Sequence, residues 1–234
     1  MPLHPFLVRT RLYRLFLALT RPFHKVYTYV SYLSFVHEHK AKGKVNDYYN
    51  AKAAYPRRFM LHDALLEQIG EQPINYFEFG VAGGNMIRHW SAKQQHPDSL
   101  FTGFDSFEGL PESWEGKGEG HFDQKGNFPQ IDDERVRFVK GWFQDSVGAA
   151  LRDARFEGMS VYHLDADLFS STLFVLFQIH DQLKPGDLLI FDEYSSHEHE
   201  HKAFELFKQC CSQDLRFDFV DAVNNYRQVA FRVQ

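Results

Sequence analysis

Cysteine is almost missing from this chain of 234 residues: only Cys210 and Cys211 occur, side by side. Two adjacent cysteines with no third to pair with support neither a disulfide framework nor a cysteine metal site, and a reducing, cytoplasmic compartment fits best. Long apolar runs are missing as well. The uncharged stretch Val26–Val36 is laced with Tyr and Ser and is too short to cross a bilayer as a helix. No small-residue cleavage site follows it, so a secretory signal is not expected. The G-x-G-x-x-G dinucleotide fingerprint is also absent, which disfavours a nicotinamide dehydrogenase.

Positive charge is scarce everywhere except at the start. Met1–Met60 carries eleven Lys and Arg against Glu38 and Asp47, whereas the rest of the chain carries fifteen basic residues against twenty-nine acidic ones. An acidic body with no basic face excludes nucleic acid as an expected partner. The basic head contains FLVRTRLYRLFLALTRPF, where Leu12, Leu15, Phe16 and Leu19 recur at helical spacing while Arg9, Arg11, Arg14 and Arg21 interrupt the apolar run. That pattern predicts an amphipathic helix rather than a span. Such a helix packs on its own domain, on a second copy in a homo-oligomer, or peripherally on an anionic membrane.

What is abundant beyond Met60 is regular alternation. FMLHDALLEQIG has helical apolar spacing and a Gly70 stop. The short apolar runs INYFEFG, SLFTGFD, VRFVKG, SVYHLDAD, DLLIFDEY, FDFVDAV and YRQVAFRV follow, separated by helical or polar stretches. Strands alternating with helices predict an open, mostly parallel α/β sheet covered on both faces. Ligands of such sheets bind outside the carboxyl ends of the strands.

Those ends are acidic four times over: Glu78 with Gly80, Asp105, Asp165 with Asp167, and Asp192 with Glu193. Any one of them could be a helix cap or a turn residue. Crowded on one rim, they raise one another's pKa unless a cation or hydrogen-bond donors neutralise them. Gly80, Gly83 and Gly84 after the first run allow a tight turn and close approach to a ligand. Glu78 there would repel a diphosphate but suit a ligand cation, and Asp105 suits ribose hydroxyls, so a sulfonium nucleoside with an amino acid tail fits these features.

The segments FEFGVAGGN, GFDSFEGLPE, VRFVKGWFQDS, HLDADLFSST and LKPGDLLIFDEY resemble the macrocin and mycinamicin O-methyltransferase family of class I S-adenosylmethionine-dependent methyltransferases. The resemblance covers about residues 55–234 and leaves residues 1–54 as a basic helical extension. It implies a Rossmann-like sheet with an antiparallel last strand. It also implies a cofactor site at Glu78, Gly80, Val81, Gly83, Gly84, Asp105, Ser106, Phe107, Trp142, Phe143 and Asp165, and Mg²⁺ on Asp165, Asp192 and Glu193. The family commonly shows Asp-Asp where this chain has Asp192-Glu193, which leaves Glu193 the weaker ligand. Hard carboxylate oxygens of this kind suit Mg²⁺, which would acidify an acceptor hydroxyl.

For the base, Asp167, His121 and His197 are open candidates, and spacing selects none of them; Asp165, Asp167 and His121 are the expected catalytic residues. The stretch from Pro111 to Glu134 is expected to form either a lid over the substrate or a disordered surface loop. His197, His199 and His201 stand two apart, which splits them between helix faces and leaves only His197 with His201 as an i, i+4 pair, so zinc is not expected there. The expected activity is methyl transfer to a hydroxyl of a sugar, glycan or natural product. The alternative is a binding or regulatory protein that kept the fold and lost turnover.

Overall fold

The computed structural model describes residues 10, 13–48, 52–152, 154, 158–211 and 215–234. Helix α1 is Tyr13–His39, followed after a short 3₁₀ turn by α2, Arg58–Ile69. Then come β1 Ile74–Phe79, α3 Asn85–Lys93, β2 Leu100–Asp105, β3 Val136–Lys140, α4 Phe143–Arg152 and β4 Met159–Leu164. The chain ends with α5 Phe169–Ile179, β5 Leu188–Phe191, α6 Glu200–Cys210, β6 Phe217–Val223 and β7 Gln228–Val233. All seven apolar runs of the sequence form strands, in one sheet of order β3-β2-β1-β4-β5-β7-β6. The first five strands are parallel, and β7 runs antiparallel to both β5 and β6.

Every residue of β1 and β5 is buried, as expected of central parallel strands covered on both faces. The period of two splits their side chains between two cores. Phe77, Phe79, Tyr162, Leu189 and Phe191 face α5 and α6, whereas Ile74, Tyr76, Val161, Leu188 and Ile190 face α2 and α3 through Leu61, Leu65, Ile87 and Trp90. Helix α2 ends at Gly70, whose φ of 67° and N–H bond to the Leu66 carbonyl close the helix.

The N-terminal segment divides physically in two. Toward its C-terminus, α1 joins the first core: Phe35 and Val36 are buried there, and the Phe35 ring lies 5.0 Å from Tyr194 and 5.7 Å from Phe231. The following loop is bolted to the last hairpin. Asp47 accepts from Arg57, Asn224 and Asn225, and Asp221 accepts from the backbone of Lys44 and Val45. Earlier in α1, Leu15, Leu19, Phe23, Val26, Tyr27 and Val30 are exposed. Arg9, Arg11 and Leu12 lie outside the described residues, as do the side chains of Phe16 and Arg21. No described helix is long and apolar enough to cross a membrane.

Candidate functional site

The carboxyl ends of β1, β2, β4 and β5 open into a cavity of about 710 Å³. It is lined by Glu78, Asp105, Asp165, Asp167, Asp192 and Glu193, so sheet order brings all four acidic ends together. Gly80, Val81, Gly83, Ser106, Trp142 and Phe143 also line it, while Gly84, Phe107 and His121 do not.

At the β1 end, Gly80 adopts φ 99°, and a Cβ there would lie 1.9 Å from the Asp165 carbonyl oxygen. Only glycine lets the exits of β1 and β4 pass so closely. Asp105 organises the next turn: its Oδ2 accepts from the N–H groups of Val81 and Ala82 at 2.8 Å each, and its Oδ1 accepts from Phe107 at 2.7 Å. Phe107 therefore acts through its backbone, while its ring is buried against Phe128 and Phe138.

Glu78 is buried, and its Oε2 accepts from the Tyr76 hydroxyl at 2.9 Å. That hydroxyl also meets Nδ1 of His163 at 2.9 Å. Burial pushes the Glu78 carboxyl well above the usual range, partly countered by the Tyr76 bond. A cation arriving in the cavity would relieve that cost.

The other end of the cavity is denser in charge. Asp165 is pushed well up by burial and then by the charges of Asp192 and Asp167. Asp167 has φ 58° and is pushed up to about 7, by burial first and by Glu193 second, with Lys117 opposing. Asp192 goes the other way: despite burial, His163 and Arg58 hold it down to about 2. Nη1 of Arg58 lies 2.9 Å from Asp192 Oδ2 and 3.8 Å from Asp165 Oδ2, with the guanidinium 4.1 Å from the Tyr55 ring centre. Arg227 grips Glu193 with two bonds, Nε to Oε2 at 2.6 Å and Nη2 to Oε1 at 2.5 Å.

Mg²⁺ binds hard carboxylate oxygens together with waters, and each of the expected carboxylates here already has an arginine beside it. Asp165 and Asp192 face Arg58, and Glu193 is turned to Arg227. Among the described residues, the only trio of ligand-type side chains with donor atoms within 4.8 Å of one another is His62, His163 and Asp192. Trp90 donates its indole N–H to His62 Nδ1 at 2.9 Å, which puts the proton of neutral His62 on Nε2. That nitrogen is buried without a hydrogen-bond partner, as are His163 Nε2 and Asp192 Oδ1.

The histidines read from spacing go separate ways. His121 is exposed beside Phe122, and His197 meets Tyr29. His199 accepts from the backbone N–H of Phe169, and His201 is buried beside Tyr194. The loop after β2 closes over the cavity with Leu110, Pro111, Lys117 and Phe122, anchored by Trp114, which packs with Leu110 and Leu168. Sequence reasoning missed Arg58, Tyr76, His163 and Arg227. Of these only His163, inside HLDADL, carried a local signal.

The strand order, with one reversed strand beside β5, defines a class I methyltransferase fold. The chain belongs to the Macrocin-O-methyltransferase (TylF) family, which it matches over residues 56–228. It is 37% identical over 62 residues to the mycinamicin III 3''-O-methyltransferase of Micromonospora griseorubida, covering 26% of this chain and 23% of that protein. Over 63 residues it is 36% identical to a tetracenomycin-C rhamnosyl 4'-O-methyltransferase of Streptomyces olivaceus, covering 27% and 23%. The matched stretches thus span about a quarter of these relatives' length. Among solved structures, the calicheamicin methyltransferase CalS11 superimposes with TM-score 0.58 at 18% identity, covering 89% of this chain and 92% of that one. A Mg-SAM complex of cmcI superimposes with TM-score 0.52 at 16% identity, covering 78% and 72%.

Proposed function

We propose that this protein transfers a methyl group from S-adenosylmethionine to a hydroxyl of a sugar or sugar-bearing natural product. The observation that carries the reading is the single cavity in which Glu78 and Asp105 stand at one end and Asp165 and Asp167 at the other. The cofactor fits the first end. Glu78 is a buried carboxylate in need of a cation and suits the methionine ammonium; Asp105, held by three backbone donors, keeps acceptor capacity for ribose hydroxyls. Trp142 and Phe143 border the space for adenine, and Gly83 has nothing within 4 Å of a Cβ position, leaving room beside the cofactor tail. When bound, the cofactor supplies an electrophilic methyl on a sulfonium.

The chain's own residues do the rest. A sugar hydroxyl is a poor nucleophile near neutral pH, so a base must take its proton as it attacks, and a carboxylate titrating near the working pH is well matched. Asp167, pushed up to about 7, fills that role, and Asp165 borders the same space. The loop carrying Leu110, Pro111 and Phe122 keeps water from the reacting oxygen. Mg²⁺ assistance, implied by the resemblance, is left out of this reading because its expected ligands are held by arginines. The names of relatives support a sugar hydroxyl: they are described as methylating mycinamicin III and a rhamnosyl group, and CalS11 as a TDP-rhamnose 3'-O-methyltransferase.

Calorimetry with S-adenosylhomocysteine tests the pocket, and mass spectrometry of metabolites and glycans from cells with and without the protein tests the acceptor. No detectable cofactor binding would sink the reading. The apolar side chains exposed along early α1, in a segment rich in Arg and Lys, support peripheral contact with an anionic lipid surface, with a second copy of the chain as the competing outcome of the same assay.

A further inference from the structure

We infer that Arg58 and Arg227 take the place of the divalent cation at the acceptor end of the cavity, so that this chain works without a metal there. The inference rests on the methyltransferase reading above and deepens it. Charge supports it: two guanidinium groups bring the same +2 to Asp165, Asp192 and Glu193 that one Mg²⁺ would bring. Geometry supports it too. Arg58 is fixed from two sides, by the Asp192 carboxylate at 2.9 Å and the Tyr55 ring at 4.1 Å, with only 10% of its side chain exposed. Arg227 uses the planar, bidentate geometry at which guanidinium exceeds any point charge.

A divalent ion entering this space would have to expel both arginines or sit against their charge, and among the described residues no three carboxylates bring oxygens within 4.8 Å of one another. The arrangement also leaves something over. Nε of Arg58 is buried with no hydrogen-bond partner, and the residue lines the cavity. Arg58 thus stands in the cavity wall, where its charge stabilises the negative charge that develops as a neighbouring carboxylate removes the hydroxyl proton. No atom or electron balance changes relative to the reaction proposed above: the hydroxyl proton goes to a carboxylate and the methyl goes to oxygen.

The test is an electron paramagnetic resonance titration with Mn²⁺, a stand-in for Mg²⁺ that shares its preference for oxygen ligands. The full chain is used, saturated with S-adenosylhomocysteine. The wild type is expected to leave Mn²⁺ free at protein concentrations well above micromolar, and the double variant Arg58→Gln, Arg227→Gln to bind it at least about tenfold more tightly, because carboxylate charge is then unmatched. Both should retain S-adenosylhomocysteine in calorimetry. Micromolar Mn²⁺ binding by the wild type, lost in Asp192→Asn, overturns the inference. So does a folded double variant with no gain. The wild-type titration decides the matter even if the double variant does not fold. Absence of S-adenosylhomocysteine binding would instead strike the methyltransferase reading, so the two failures are distinguishable.

Discussion

At the scale of single residues, Asp167 shows how a buried carboxyl is held at a cost to the fold. Its carboxyl is pushed from 3.8 to about 7, so the folded state binds a proton more tightly than the unfolded chain does. Stability contributed by this group is therefore present at low pH and lost as pH rises from about 4 through 7. Asp167→Asn removes the titration, and asparagine tolerates the left-handed backbone at φ 58°. The variant should match the wild type in thermal unfolding at pH 4 and exceed it at pH 8.5, by on the order of 1 kcal/mol or about 2–4 °C. Equal midpoints at both pH values would mean that Lys117 and the surrounding donors already neutralise the ionised carboxylate. Phe35 is the opposite case, a residue of the N-terminal extension whose ring lies among Tyr194, Phe219, Tyr226 and Phe231. Phe35→Ala should cost about 3 kcal/mol in urea unfolding. A loss under about 1 kcal/mol would show that the helix merely rests on the domain.

At the scale of elements, the turn after β1 depends on a residue from β2. Asp105→Ala removes the acceptors for Val81, Ala82 and Phe107 as well as any ribose contact. Affinity for S-adenosylhomocysteine should fall at least about tenfold, roughly 1.4 kcal/mol. Amide exchange at Val81 and Ala82 should accelerate together with it, a change that a purely ligand-contacting carboxylate would not produce; unchanged affinity would reject the pocket assignment. The same dependence explains what could be read in advance. Strands buried on both faces appear as continuous apolar runs, so β1, β2, β4 and β5 and their acidic exits were legible from order alone. The partners of those exits were not. Arg58 opens α2 and Arg227 sits in the last hairpin turn, and only the order β1-β4-β5-β7 brings them to the same rim. Tyr76 looked like one more strand aromatic, because its hydroxyl contact with His163 joins two strands 87 positions apart in sequence.

At the scale of the whole molecule, charge and apolar surface are segregated along the chain. Residues 1–60 hold eleven of the twenty-six basic residues and only two of the thirty-one acidic ones, and early α1 exposes Leu15, Leu19, Phe23, Val26, Tyr27 and Val30. The later part of α1 is committed to the core through Phe35 and Val36, so a cut before it should spare the fold while removing the exposed stripe. A chain lacking residues 1–30 is expected to keep its affinity for S-adenosylhomocysteine, since no described residue before Tyr55 lines the cavity. The full chain should float with vesicles rich in phosphatidylserine and release them as salt rises, because exposed charges more than about 8 Å apart are largely screened at physiological ionic strength. The truncated chain should not float at all. Light scattering on the same two proteins separates the remaining possibility. A drop from dimer to monomer on truncation, with no flotation of the full chain, would assign the stripe to a second copy. Neither change would leave the stripe without the lipid role proposed for it.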